Sequence, residues 1–137
     1  MKKLIALSVV VLGVAAGSGH ATSTSGAHHD AVWKQKHAIM AVFCGWMSGP
    51  DVPCQLGRDA QVVASEEGGK FHWYRGDCNN AENGQYLGCF QMGSSERAKY
   101  GHGPGFWAQA KAALAYFIDS GRDWSPWSCK PQGYCLT

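Results

Sequence analysis

Two adjacent carboxylates, Glu66 and Glu67, close a helical stretch that starts near Pro53 and stops at Gly68-Gly69. Acids at the negative pole of a helix oppose its macrodipole. A local rule broken in this way often marks a functional site, although a solvated acidic helix end is the plain alternative. A carboxyl beside Val62 and Val63 that faced an apolar cleft would lose solvation on ionising. Its pKa would then rise, as a general acid near neutral pH requires, and repulsion between the neighbours pushes the same way. Leu56, Ala60, Val63 and Glu67 share one helical stripe, with Val62 and Glu66 beside it. Helical geometry leaves open which acid faces a cleft. No H-E-x-x-H or G-x-S-x-G occurs, and the Gly101–Gly105 loop lacks the phosphate-binding pattern. No C-x-x-C pair occurs either, and His28-His29 reads as a solvated tail, so neither metal nor cofactor is expected.

Aromatic residues supply a second signal. Thirteen of the sixteen lie between Phe71 and Tyr134, among them Trp73, Tyr74, Tyr86, Tyr100, Trp107, Trp124 and Trp127. Rings with polar handles can line a sugar cleft, but most build a core.

These residues need elements to hold them. A first helix is expected from Asp30 as N-cap to about Cys44, with Val32, Lys36, Ile39 and Phe43 on one face and Trp33, Met40 and Ala41 nearby. Gly45 and Ser48–Asp51 end it in a turn. The second helix runs from about Pro53 to Glu67, stopped by glycine in the left-handed conformation. Lys70 to Gly88 reads as loops or a small β-hairpin, followed by a short helix over Ser94–Tyr100. A last helix spans Phe106–Ser120, with Phe106, Ala110, Ala113 or Leu114, and Phe117 as its apolar face and Gly121 as C′. The class is mainly α, one domain with disulfide-stapled loops.

Composition narrows the setting. The chain has 137 residues, room for one domain, and 12 basic against 10 acidic residues. That balance excludes the strong basic excess of nucleic-acid binders. Hydrophobic residues at 45% suffice for a core, and 18 glycines without a G-x-y period exclude collagen. Lys2-Lys3, the apolar run Leu4–Ala16 and the small-x-small Gly19–Ala21 read as a signal peptide over residues 1–21. Cleavage after Ala21 ranks above Ala16 or Ala27 and leaves no membrane anchor. Residues 22–30 would form a flexible lead-in and 31–137 the folded domain. Without Lys2 and Lys3, ten basic residues face ten acidic ones. Long-range attraction to an anionic wall is then not how the domain finds a target. All six cysteines, Cys44, Cys54, Cys78, Cys89, Cys129 and Cys135, follow the signal and imply three disulfides. Fifteen pairings are possible, of which nearest neighbours close the shortest loops.

Val63-Ala64-Ser65-Glu66-Glu67-Gly68-Gly69 resembles the Glu-Ser-Gly-Gly motif of small lysozyme-like lytic transglycosylases and resuscitation-promoting factors. Tyr86–Met92 is similar to their Gly-Leu-x-Gln segment. Ala113–Gly121 with Trp124-Ser125-Pro126-Trp127-Ser128-Cys129 is similar to their final helix and tail. The likeness covers about Ala38 to Cys129, including the two-cysteine stretch Ala41–Leu56. It implies a lysozyme-like (goose-type or transglycosylase-like) fold that cleaves the β-1,4 bond between N-acetylmuramic acid and N-acetylglucosamine in peptidoglycan strands.

In the family register Glu66 is the general acid and base, Gln91 binds the sugar, and Tyr86 and Tyr100 shape the cleft. Glu67 stands where the family has serine, and Ser95-Glu96-Arg97 replaces a Ser-Thr-Trp region. A retaining two-carboxylate glycosidase needs a partner about 5 Å from the acid, with Glu67, Asp77 and Glu82 as candidates. The expectation is a secreted, periplasmic or wall-associated monomer. A non-catalytic wall-binding or inhibitor-like module on the same fold is the alternative, and a disulfide-rich protein-binding toxin a weaker one.

Overall fold

The computed structural model describes residues 24–45, 54–68, 78 and 81–136. The expected signal peptide and Asp77 lie outside these residues. Helix α1 (Thr24–Gly45) is followed by α2 (Gln55–Glu67), the hairpin β1 (Glu82–Asn83) and β2 (Tyr86–Leu87), α3 (Ser94–Tyr100) and α4 (Phe106–Asp119). The fold is mainly helical, and its six cysteines pair as neighbours: Cys44–Cys54, Cys78–Cys89 and Cys129–Cys135. Among the described residues no helix is long and apolar enough to cross a membrane.

Helix α1 starts at Thr24, inside the stretch expected to be a flexible lead-in, rather than after Asp30. Gly26 is the one strong opponent of helix there, at about 1 kcal/mol, and extending a formed helix needs no new nucleus. Ile39 and Phe43 of the expected face are buried, whereas Trp33 is 58% exposed. Helix α1 packs on both α2 and α4. Its contact with α2 is close, because a Cβ on Gly57 would stand 2.5 Å from Cys44 Sγ and Met40 Sδ.

Helix α2 starts at Gln55, two residues later than expected. Its N-cap is Cys54, whose Sγ accepts from the Gly57 N–H at 3.2 Å. Cys54 is tied to Cys44, so the disulfide and the cap fix one helix start together. At the other end Gly68 is not left-handed as expected; its φ is −66°. Glycine is needed for space, since a Cβ there would meet Ala64 O at 2.8 Å, Cys78 Cβ at 3.1 Å and Cys89 O at 3.2 Å. The disulfide Cys78–Cys89 therefore presses against the turn that follows Glu67.

The hairpin pairs Glu82 with Leu87 and Asn83 with Tyr86 around Gly84-Gln85. Gly84 has φ +62°, as the first central residue of a II′ turn requires. Helix α4 ends in a Schellman motif: Gly121 N–H bonds Ile118 O, Arg122 N–H bonds Phe117 O, and Gly121 at C′ is left-handed at φ +84°. The core gathers Ile39, Phe43, Val63, Phe90, Met92, Phe117 and Trp127. Trp127 is buried in it, and its indole N–H is satisfied by Phe90 O at 3.0 Å. That anchor brings the tail after α4 back across the end of α2.

Candidate functional site

The stripe that buries Ala60 and Val63 carries Glu67 toward the returning tail. Glu67 Oε1 accepts the Cys129 N–H at 2.7 Å, across 62 positions of sequence. Burial pushes the Glu67 carboxyl above its ordinary value, against the lowering effects of the Cys129 and Ser128 N–H groups and the Lys130 charge. Lys130 in turn holds the tail, donating to the carbonyls of Trp124 (2.9 Å), Ser125 (3.4 Å) and Trp127.

Glu67 lines a cleft with Asn83, Tyr86, Gln91, Pro126, Trp127 and Ser128. Four of these, Tyr86, Gln91, Pro126 and Trp127, continue into a second cavity that ends at Ser95, Glu96 and Tyr116. The two cavities, of about 230 and 300 Å³, form one groove with a carboxylate in each half.

Gln91 lines both cavities. Its Nε2 donates to Gly88 O at 2.8 Å and Ala81 O at 3.1 Å. Its Oε1 is buried without a hydrogen-bond partner. Gln91 has φ +45°, a left-handed conformation that costs a non-glycine residue about 1–3 kcal/mol. Such strain persists only where the surroundings impose it, and here the backbone turn is closed by Gln91 N–H to Gly88 O and by the paired Leu87 and Met92.

The structure thus brings Gln91 and Tyr86 together as expected, but the acid beside them is Glu67. Glu66, one residue back and about 100° around the helix, is half-buried and is not among the residues that line the groove. Tyr100 does not line it either. Its hydroxyl donates to Asp119 at 2.6 Å, and its ring stacks on Tyr116 at 5.0 Å, so Tyr116 occupies the groove wall instead. Glu82 belongs to the opposite face of the hairpin, in a depression with Arg97 and His102. His102 is held below its ordinary value by burial and then by the Arg97 charge.

Sequence reasoning gave Glu96, Tyr116 and Ser128 no role in a site, although all three fall within the segments it compared. The tail motif signalled Pro126, and Trp127 stood both there and among the clustered aromatics. A wider depression, about 800 Å³, lies between the start of α2 and the tail loop. Its charged groups are already engaged: Asp59 by Gln55, Asp123 by the Ser125 N–H, and Lys130 by three carbonyls.

The groove offers polar side chains and aromatic rings to an extended ligand, beside one carboxyl that burial pushes above its ordinary value. Among the described residues no three His, Cys, Asp or Glu side chains gather as a metal site. The chain matches no protein-family model, no curated protein and no solved structure.

Proposed function

We propose that the chain is an exported, lysozyme-like glycosidase domain that cleaves the β-1,4 N-acetylmuramyl–N-acetylglucosamine bond of peptidoglycan, with Glu67 as its general acid and base. One observation carries the reading: a single carboxyl, raised by burial, lies beside Gln91, Tyr86 and Trp127 in an extended groove. Raising a carboxyl's pKa moves it toward the protonated form that gives its proton to a glycosidic oxygen as the bond breaks. The carboxylate left behind is stabilised by the N–H groups of Cys129 and Ser128 and by Lys130. It then takes a proton either from the muramyl 6-hydroxyl, giving a 1,6-anhydro product, or from water, giving a hydrolysed one.

Of the expected partner carboxylates, Glu82 faces away from the groove and Glu67 is itself the acid. Asp77, the third, lies outside the described residues. The route we assign is the one that the resemblance implies, in which the substrate acetamide stabilises the oxocarbenium ion. Three disulfides suit an oxidising compartment outside the cytoplasm.

The test is incubation with insoluble peptidoglycan and mass analysis of what dissolves. Anhydro products one water lighter than hydrolysed ones identify a lytic transglycosylase. Retention on the wall with no fragment released identifies a binding module.

A further inference from the structure

We infer that the Glu96 end of the groove is a subsite for a sugar with a free amino group, so that the favoured strand is a partly N-deacetylated one. This rests on reading the groove as glycan-binding.

Among the described residues that line it, none is Lys, Arg or His, and two are carboxylates. Arg97, nearby in sequence, lines the depression on the other side of the hairpin, its Nη1 bound by Gln85 O and Met92 O. The Glu96 carboxylate is therefore the charged group at that end of the groove among the described residues. Gln91 Oε1 is buried and unpartnered, and Glu96 brings a carboxylate to the same cavity.

Glu96 is seated there by its neighbours. A Cβ on Gly93 would stand 2.5 Å from Glu96 Oε2, so the glycine leaves the space that the carboxylate uses. Ser95 Oγ donates to the same oxygen at 3.3 Å. Tyr116 is raised by burial first and by the Glu96 charge second, which sets the carboxylate near the phenol of the groove wall. An ammonium offers three donors and a charge to these acceptors, whereas an acetamide offers one neutral N–H.

The experiment is calorimetric titration of the full chain with a glucosamine tetramer and an N-acetylglucosamine tetramer. It is run at about pH 6, below the usual range of an amine. A charge-assisted bond is roughly twice as strong as a neutral one, so the glucosamine tetramer is expected to bind about fivefold tighter. E96Q keeps the shape and should remove that preference. In the wild type the preference should also shrink as salt is raised, a check independent of how the variant folds. Equal affinities, a preference retained by E96Q, or one indifferent to salt overturns the inference and leaves the glycan reading standing. Binding of neither tetramer overturns both.

Discussion

Replacing Glu67 by Gln separates the forces that set its protonation, because glutamine keeps the acceptor for the Cys129 N–H and loses the charge. Two opposing terms follow from the contacts. The Cys129 bond of 2.7 Å and the second N–H, from Ser128, are charge-assisted when Glu67 is ionised. Weakening each to a neutral bond costs about 1 kcal/mol. If hydrogen bonding dominated, the variant would lose about 2 kcal/mol at neutral pH, or roughly 8 °C or more of Tm for a domain of this size. Burial is the larger effect, however, and acts the other way.

The sign follows from the raised value. The protonated carboxyl fits the fold better than the ionised one. Its contribution is complete below the ordinary value of 4.5 and is lost as pH rises through the higher folded value. E67Q should therefore match the wild type in Tm at acid pH and stand level with it or above it at pH 7. The difference should open only as pH rises past about 4.5. Thermal unfolding followed by circular dichroism at a series of pH values reads this directly. A variant about 8 °C less stable at pH 7, converging on the wild type only in acid, would refute the reasoning. It would make Glu67 a structural carboxylate rather than a buried acid.

Other consequences are structural and equally direct. Gly68→Ala should cost about 1–3 kcal/mol by crowding against Ala64 O and the Cys78–Cys89 disulfide. At φ −66° the backbone itself accepts alanine, so a neutral or stabilising result in chemical denaturation would show that no crowding exists there. Converting Cys129 and Cys135 to serine removes the clip on the loop that donates to Glu67. The chain-entropy effect of a short loop is about 2–3 kcal/mol. Activity should fall under conditions where the variant is still fully folded, and full activity would detach the tail from the site.

Much of this arrangement was legible in local pattern. The helical stripe through Ala60 and Val63 already contained Glu67, and Gly121 announced the end of α4. The nearest-neighbour pairing of the cysteines was the one that closes the shortest loops. What local pattern could not supply is anything set by contacts distant in sequence. The tail crosses α2 because Trp127 is buried against Phe90, and that contact puts the Cys129 N–H on Glu67. A motif register read by likeness chose Glu66, while the stripe had left both acids open. Gly68 read as a left-handed stop because glycine after a helix usually is one. Its actual reason is the disulfide across the turn, which is invisible until the fold is closed. Glu96 reads in sequence as an ordinary first-turn acid of a short helix, and only the groove gives it company.

The central claim concerns one carboxyl, and one comparison tests it. Wild type, E67Q and E66Q are assayed side by side for soluble fragments released from peptidoglycan. The account predicts that E67Q lowers release by about 10²–10⁴-fold, the usual contribution of a general acid, at unchanged or higher Tm, while E66Q stays within a few-fold of wild type. Full activity in E67Q, with the loss appearing in E66Q instead, would contradict it.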